Sequence, residues 1–265
     1  MSENAAESRL RMMVANFGHN PTQFLDRVLN TVELYYHTYL HRRPQYDKVQ
    51  EPEEAISDLG RHLSMDLGAV LQEEPLRRIT EYAINGINNP KLNAVRSSFN
   101  ADLSLGRMCY VLCRVRKPQV VVETGVANGV TSTFILQALE TNGAGELHSI
   151  DLPPLAVYGS SEVGSLIPQE LRHRWRLNLG SSRRLLPPLV EKLGRVDIFV
   201  HDSLHSYHNV KREMRVVSKR LAPNGIMVVD NIAGNSAFTE WANKHTAKFR
   251  AVVREHKSLF GFALL

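Results

Sequence analysis

QVVVETGVANGVTS, residues 119–132, is the stretch on which the fold turns. Val120, Val121 and Val122 suit a strand buried on both faces, as in a parallel sheet. The strand closes on an acid, Glu123, and a turn follows with glycines at 125 and 129 before Thr131 and Ser132 open a helical pattern. In open α/β sheets, ligands sit beyond the carboxyl ends of the strands, and the first strand usually borders that crevice. Gly125 and Gly129 are expected to let the turn approach a ligand without a Cβ in the way. The G-x-G-x-x-G spacing of dinucleotide sites fails, because position 127 is alanine. No Lys-Ser/Thr pair closes a phosphate cradle either. Glu123 would repel a pyrophosphate and welcome a positively charged ligand.

Outward from this turn the chain alternates. A helix around Leu103–Val115 precedes the strand, and then come a helix at 130–140, the strand ELHSID, a loop at 152–168 and the strand WRLNLG. A helix at 182–193, the strand VDIFVHD, a helix at 207–220, the strand GIMVVDN and a helix at 236–244 follow. Short apolar strands alternating with helices predict a doubly wound parallel sheet. Two β-rich runs, KFRAVVRE and SLFGFALL, end the chain with only a few residues between them, which makes them antiparallel neighbours. The expected architecture is α/β: a Rossmann-like, seven-stranded, mostly parallel sheet with an antiparallel C-terminal hairpin.

The first hundred residues read instead as a helical N-terminal extension. Asn20-Pro21 is a helix start. Phe24, Val28, Val32, Tyr35 and Tyr39 then recur at three and four, with Leu25 and Leu29 beside them. Tyr35, Tyr36 and Tyr39 are expected to pack, since an aromatic row at helical spacing is usually core. A second helix begins near Pro52 with Ile56, Leu59, Leu63, Leu67 and Val70 on one face. A third runs from Pro75 to Ile87 and stops at Pro90. The expected division is 1–97 for the extension, a lid or oligomerisation element, and 98–265 for the α/β domain.

Composition narrows the class. The 265 residues are 43% hydrophobic and 22% charged, ordinary for a globular chain. No window approaches the roughly 18 apolar residues of a membrane helix, and MSENAAESRLRMMVANFG lacks the apolar core of a secretory signal. Cys109 and Cys113 have no zinc-ligand company and read as buried free thiols of a cytoplasmic protein. The formal charge is +5. The basic clusters at 172–176, 183–184 and 211–215 are expected to be solvated helix faces, so neither nucleic acid nor membrane is expected as a partner.

S-adenosylmethionine fits the cofactor end, with a sulfonium and an amino group at one end and ribose and adenine at the other. E-x-G-x-x-x-G from Glu123 to Gly129 resembles the first motif of class I methyltransferases. Asp151 ends the second strand, where an acid would bind the ribose hydroxyls. Gly180-Ser181-Ser182-Arg183 follows the third, where the adenine edge is read. The resemblance implies a cofactor site made by Phe99, Glu123, Gly125, Ala127, Asn128, Gly129, Thr131, Asp151, Ser182, Arg183 and Asp202.

Two further strands end in acids, Asp202 in VHD and Asp230-Asn231 in VVDN. In a parallel sheet both ends face one crevice, and three hard oxygen donors suit Mg²⁺ or another divalent cation better than zinc. The set resembles the metal-dependent catechol-type O-methyltransferases, in which these three positions hold Mg²⁺. The match runs almost without gaps from Gly106 through Pro118 and Glu123 to Thr131, and again from Gly180 through Pro187. It covers most of residues 98–265 and leaves residues 1–90 largely outside. One position departs. The catechol enzymes place a lysine base three residues after the first metal aspartate, and here it is His205. DSLHSYHNV resembles methyltransferases of sugars and natural products with a histidine base. With an ordinary pKa near 6.5, His205 is expected to accept a proton at neutral pH without burial having to depress it. His201 should point to the opposite face of its strand, and His208 should lie on an outer helix face.

The resemblance thus implies an S-adenosylmethionine- and Mg²⁺-dependent O-methyltransferase acting on a hydroxyl of a small molecule, a sugar or natural product, in a homo-oligomeric protein. Two rivals stay open: a metal-independent class I methyltransferase acting on nitrogen or RNA, and a non-catalytic scaffold that binds S-adenosylmethionine. The 152–168 loop, with its Gly, Ser and Pro, is a candidate specificity lid.

Overall fold

The computed structural model describes residues 21–40, 44–89, 103–152, 163–256 and 258–265. Seven strands form one sheet: β1 (Val120–Thr124), β2 (Glu146–Asp151), β3 (Trp175–Leu179), β4 (Val196–His201), β5 (Leu221–Val229), β6 (Phe249–Arg254) and β7 (Leu259–Leu264). Their order is β3-β2-β1-β4-β5-β7-β6, with β1 to β5 parallel and β7 antiparallel to both its neighbours. The expected fold is confirmed, hairpin included. β4 is central and all six of its residues are buried, which is why VDIFVH carries no period-two alternation.

Helices cover both faces. α1 is Pro21–Leu40, α2 Pro52–Leu63, α3 Glu74–Ile87, α4 Leu103–Arg116 and α5 Val130–Asn142. α6 is Ser182–Leu193, α7 Tyr207–Val217 and α8 Ala237–Lys244. On one face α2, α3, α4 and α5 bury Ile56, Leu59, Ile79, Met108 and Phe134 against Val121, Ile198 and Phe262. On the other, α6, α7 and α8 bury Val190, Met214 and Trp241 against Val122, Phe199 and Met227. Residues 52–87 therefore share the core of the sheet. A single residue ahead of them, Gln50, pairs with Val253 on the edge strand β6, donating to Val252 O at 2.9 Å and accepting from Arg254 N at 2.8 Å. Cys109 and Cys113 are free and fully buried, and burial pushes both thiols up, disfavouring the thiolate.

Two expectations are corrected. The face from Ile56 to Val70 is not one helix. Ser64 takes a left-handed conformation (φ 54°) and Met65 N–H bonds Gly60 O, so α2 stops at Leu63 and Val70 lies in a separate turn, Gly68–Leu71. The second concerns α1, whose apolar row stays largely exposed instead of entering the core. Leu25, Val28, Leu29, Val32, Tyr35 and Tyr36 are 43–63% exposed. The inward face is the polar one. Asp26, 3% exposed, pairs with Arg184 at 2.9 Å, and Glu33 pairs with Arg183 at 2.5 Å. Those ion pairs orient the helix.

The basic clusters meet acids: Arg174 pairs with Glu140, Arg176 with Glu146 and Lys211 with Glu240. No described helix is long and apolar enough to cross a membrane. Asn20, Pro90, Phe99, the 97/98 boundary, the Tyr39 side chain and residues 153–162 of the expected lid lie outside what is described.

Candidate active site

The carboxyl ends of β1, β2, β4 and β5 bring most of the expected residues to one edge of the sheet. After β1 the chain turns through Gly125 (φ 86°), Ala127 (φ 50°) and Gly129 (φ 87°), three left-handed positions in five. The reason for glycine differs from the expected one. A Cβ on Gly125 would stand 1.9 Å from the Asp202 carbonyl oxygen, and one on Gly129 would stand 2.8 Å from the Ile167 side chain. The glycines make room for neighbouring protein. Asn128 is also held by protein, accepting from Leu166 N–H at its backbone oxygen and from Ser165 at its side chain.

Glu123 is fully buried. Its Oε2 accepts from Ser132 Oγ at 2.7 Å and from Ser149 Oγ at 2.8 Å, while Oε1 is buried with no partner. Burial raises its pKa to about 7 against the pull of those two hydroxyls. The Thr131 and Ser181 hydroxyls nearby in sequence to the β1 and β3 ends are likewise buried and unpartnered. Orphaned polar atoms of this kind are rare in folded proteins and call for a partner such as a water, an ion or a ligand. Asp151 uses one carboxylate oxygen to accept from Val126 N–H at 2.7 Å and Ala127 N–H at 3.1 Å, so it shapes the turn and leaves its other oxygen out of those bonds. Burial raises its pKa too, against those two donors. Ser182 begins α6, and Arg183 pairs with Glu33 of α1.

At the β4 and β5 ends, ligand atoms of Asp202, His205 and Asp230 lie within 4.8 Å of one another. His205 Nε2 is 3.8 Å from Asp202 and 3.7 Å from Asp230. Burial first, and Asp230 second, push Asp202 well above the usual carboxylate range, and Asp230 Oδ1 is buried without a partner. Two crowded carboxylates, one with an orphaned oxygen, fit a divalent cation. Asn231 takes a left-handed conformation (φ 53°) and its Oδ1 accepts from Ser258 at 2.9 Å, so its amide oxygen is turned partly to protein. The His205 side chain is 29% exposed, yet burial brings its pKa down to about 4, with Asp230 opposing. The expectation of an undisturbed imidazole is corrected. Burial favours the neutral imidazole further than the ordinary value does.

His201 is fully buried, and His208 is exposed, as expected. His201 is not idle, however. Its Nδ1 lies 2.7 Å from Glu213 Oε2 in the interior, and its ring meets His205 edge to face at 5.6 Å. Glu213, missed by sequence reasoning, also accepts from Thr124 at 2.6 Å, Ser203 at 2.9 Å and Asn209 at 3.0 Å. Burial works to raise its pKa, but His201 and the hydroxyls outweigh it and bring it down to about 2. An ionised Glu213 makes His201 Nδ1 the protonated nitrogen. It thereby fixes the ring beside His205 and ties β1, β4 and α7 together.

Residues 122–232 match a family model described as a methyltransferase domain. Among solved structures, the chain is similar to the O-methyltransferase TomG of Streptomyces achromogenes, involved in tomaymycin synthesis and solved in complex with SAM. Identity is 17% and the TM-score 0.52, over 89% of this chain and 96% of that one. An O-methyltransferase of Bacillus cereus in complex with SAH matches at 13% identity and TM-score 0.51, over 81% and 99%. SAH-bound methyltransferase PaMTH1 of Podospora anserina matches at 14% and 0.50, over 73% and 88%. These likenesses show the fold. No curated protein matches the chain significantly.

Proposed function

We infer that this chain, a class I methyltransferase by its fold and by the domain that residues 122–232 match, is an S-adenosylmethionine-dependent O-methyltransferase acting on a hydroxyl of a small molecule, a sugar or natural product. One observation carries the reading. Gly125 of the cofactor turn abuts the carbonyl of Asp202, so the orphaned Glu123 carboxylate and the Asp202–His205–Asp230 cluster lie at the same end of adjacent strands.

S-adenosylmethionine supplies the methyl group. Glu123 Oε1 would accept from its ammonium end, and the uncommitted Asp151 oxygen would accept from its ribose hydroxyls. Asp202, Asp230 and Asn231 would hold a divalent metal, Mg²⁺ by their all-oxygen donor set, which supplies Lewis acidity toward the acceptor hydroxyl. His205 Nε2 receives the hydroxyl proton, being neutral at any pH well above 4. His201, held by Glu213, keeps the His205 ring in place.

The test is transfer of labelled methyl from S-adenosylmethionine to a panel of sugars, polyols and phenols, with and without exhaustive chelation. Transfer to hydroxyls that chelation stops and Mg²⁺ restores supports the reading. Full turnover after chelation removes the metal, methylation of nitrogen removes the hydroxyl acceptor, and absence of S-adenosylmethionine binding by calorimetry removes the whole.

A further inference from the structure

α7 and α8 pack side by side on one face of the sheet, and between them lies a recess of about 420 Å³. Small-molecule sites begin at roughly 300 Å³. Its floor is apolar and aromatic: Met214 of α7 with Ala237 and Trp241 of α8, all buried. The floor is also fixed. Trp241 Nε1 donates to Ser218 Oγ at 2.7 Å, Ser218 Oγ donates in turn to Met214 O at 2.6 Å, and the His245 ring stacks on the indole at 4.6 Å. A guest would meet a surface already in place.

The rim is cationic. Lys211, Arg215 and Lys219 recur every four residues along α7 and the turn that ends it, and Lys244 of α8 stands across from them. The acid of the lining, Glu240, is committed: it accepts from Lys211 at 3.1 Å, from Tyr207 at 2.7 Å and from Ser236 at 2.7 Å. Arg215, Lys219 and Lys244 have no acidic partner among the described residues. The clusters on α5 and β2 differ, since Arg174 meets Glu140 and Arg176 meets Glu146. A recess walled by uncompensated charge of one sign concentrates ions of the other.

We propose that the recess between α7 and α8 is a binding site for a small molecule with a ring-sized apolar body and an anionic group, a carboxylate, sulfonate or phosphate. The body fills the space over Met214, Ala237 and Trp241, and the anion takes charge-assisted hydrogen bonds from Arg215 and Lys244. A bilayer or a protein partner calls for apolar side chains that project, and those of the floor are recessed. Nucleic acid calls for cations strung along a backbone path, and these gather around one recess. The recess is separate from the candidate active site. Ser206, the residue after His205, caps the start of α7, and Ser218 in the recess caps its end, about 18 Å away along the helix axis.

This goes beyond the methyl-transfer reading and is tested without turnover, so either can fail alone. The two tryptophans of the chain report on the two places separately. Trp241 lines the recess, while Trp175 donates to Ser149, which in turn donates to Glu123. The full chain, isotopically labelled at nitrogen, is titrated with naphthalene sulfonate while both indole N–H resonances are followed by NMR. Trp241 should shift saturably and Trp175 should not, with saturating S-adenosylhomocysteine present or absent. Arg215→Glu and Lys244→Glu, both at exposed positions, should each weaken binding about tenfold or more, the value of one charge-assisted hydrogen bond. Lys192→Glu, at an exposed position of α6 outside the recess, should leave it unchanged. Naphthalene methanol, the same ring without the charge, should bind at least about tenfold more weakly. An unmoved Trp241 resonance, a shift abolished by S-adenosylhomocysteine, equal affinity for the neutral ring, or charge reversals without effect would each overturn the proposal. So would tighter binding of a polyglutamate peptide, which would make the recess a protein-docking surface instead.

Discussion

Replacing Glu123 by glutamine should make the ligand-free protein more heat-resistant at alkaline pH and, at the same time, a poorer binder of S-adenosylmethionine. Burial holds the Glu123 pKa at about 7 in the folded protein, against 4.5 for an unperturbed glutamate. The folded state therefore holds this proton more tightly than the unfolded state does. The associated stability is fully present below pH 4.5, declines as pH rises toward 7, and is lost above it. At about 1.4 kcal/mol per decade, the loss between pH 5 and pH 8 is about 2.5 kcal/mol. Glutamine does not titrate. Its own costs, including an amide placed where Oε1 lacks a partner, do not vary with pH. The melting temperature of the variant relative to wild type should thus rise by about 5–10 °C from pH 5 to pH 8. Other titrating groups cancel in the difference. Affinity for S-adenosylmethionine at pH 8, read by calorimetry, should fall roughly 10- to 150-fold, the value of one charge-assisted hydrogen bond. A melting difference that stays constant across that range would show that Glu123 does not titrate as a buried acid. Undiminished affinity would remove it from the cofactor site.

Asp151→Ala removes both a ligand oxygen and the acceptor for Val126 and Ala127, so calorimetry should show binding weakened at least as much as in Glu123→Gln. Asp230→Ala should lose methyl transfer while binding the cofactor normally, and isotherms with Mg²⁺ should lose their signal. His205→Ala should cost about 10²–10⁴ in turnover with cofactor affinity kept. Because desolvation brings His205 to about 4, its contribution to wild-type turnover should be flat from pH 6 to 8. A rise through 6–7 that vanishes in the variant would place its pKa back at the ordinary value.

Strand runs were legible because valine and isoleucine stretches buried on both faces look alike in any parallel sheet, and because acids closing such runs are conspicuous. Glu123, Asp151, Asp202 and Asp230 all stand at strand ends for that reason. Glu213 was hidden. It sits in KREMRVV, among cations that read as a solvated face, and only the three-dimensional approach of His201 and Thr124 shows it to be interior. Periodicity found the apolar stripe of α1 but carries no information about what covers it. The inward pull came from Arg183, Arg184 and Arg212, more than 140 residues away. The stop at Ser64 was equally opaque, since a serine in the left-handed region has no sequence signature comparable to glycine.

The shared core of α2 and the C-terminal hairpin bears on how the chain is made. Ala55, Ile56 and Leu59 belong to the same buried cluster as Ala251, Val253, Phe260 and Phe262, and Gln50 bonds across to β6. During synthesis, α2 leaves the ribosome about 200 residues before the surface it needs. The part of its apolar face that meets β6 and β7 must wait until the last strands emerge. Contacts of such long sequence separation form late, after the entropy of closing the chain has been met. Nascent chains truncated before β6 should therefore keep α2 open to proteases and chaperones.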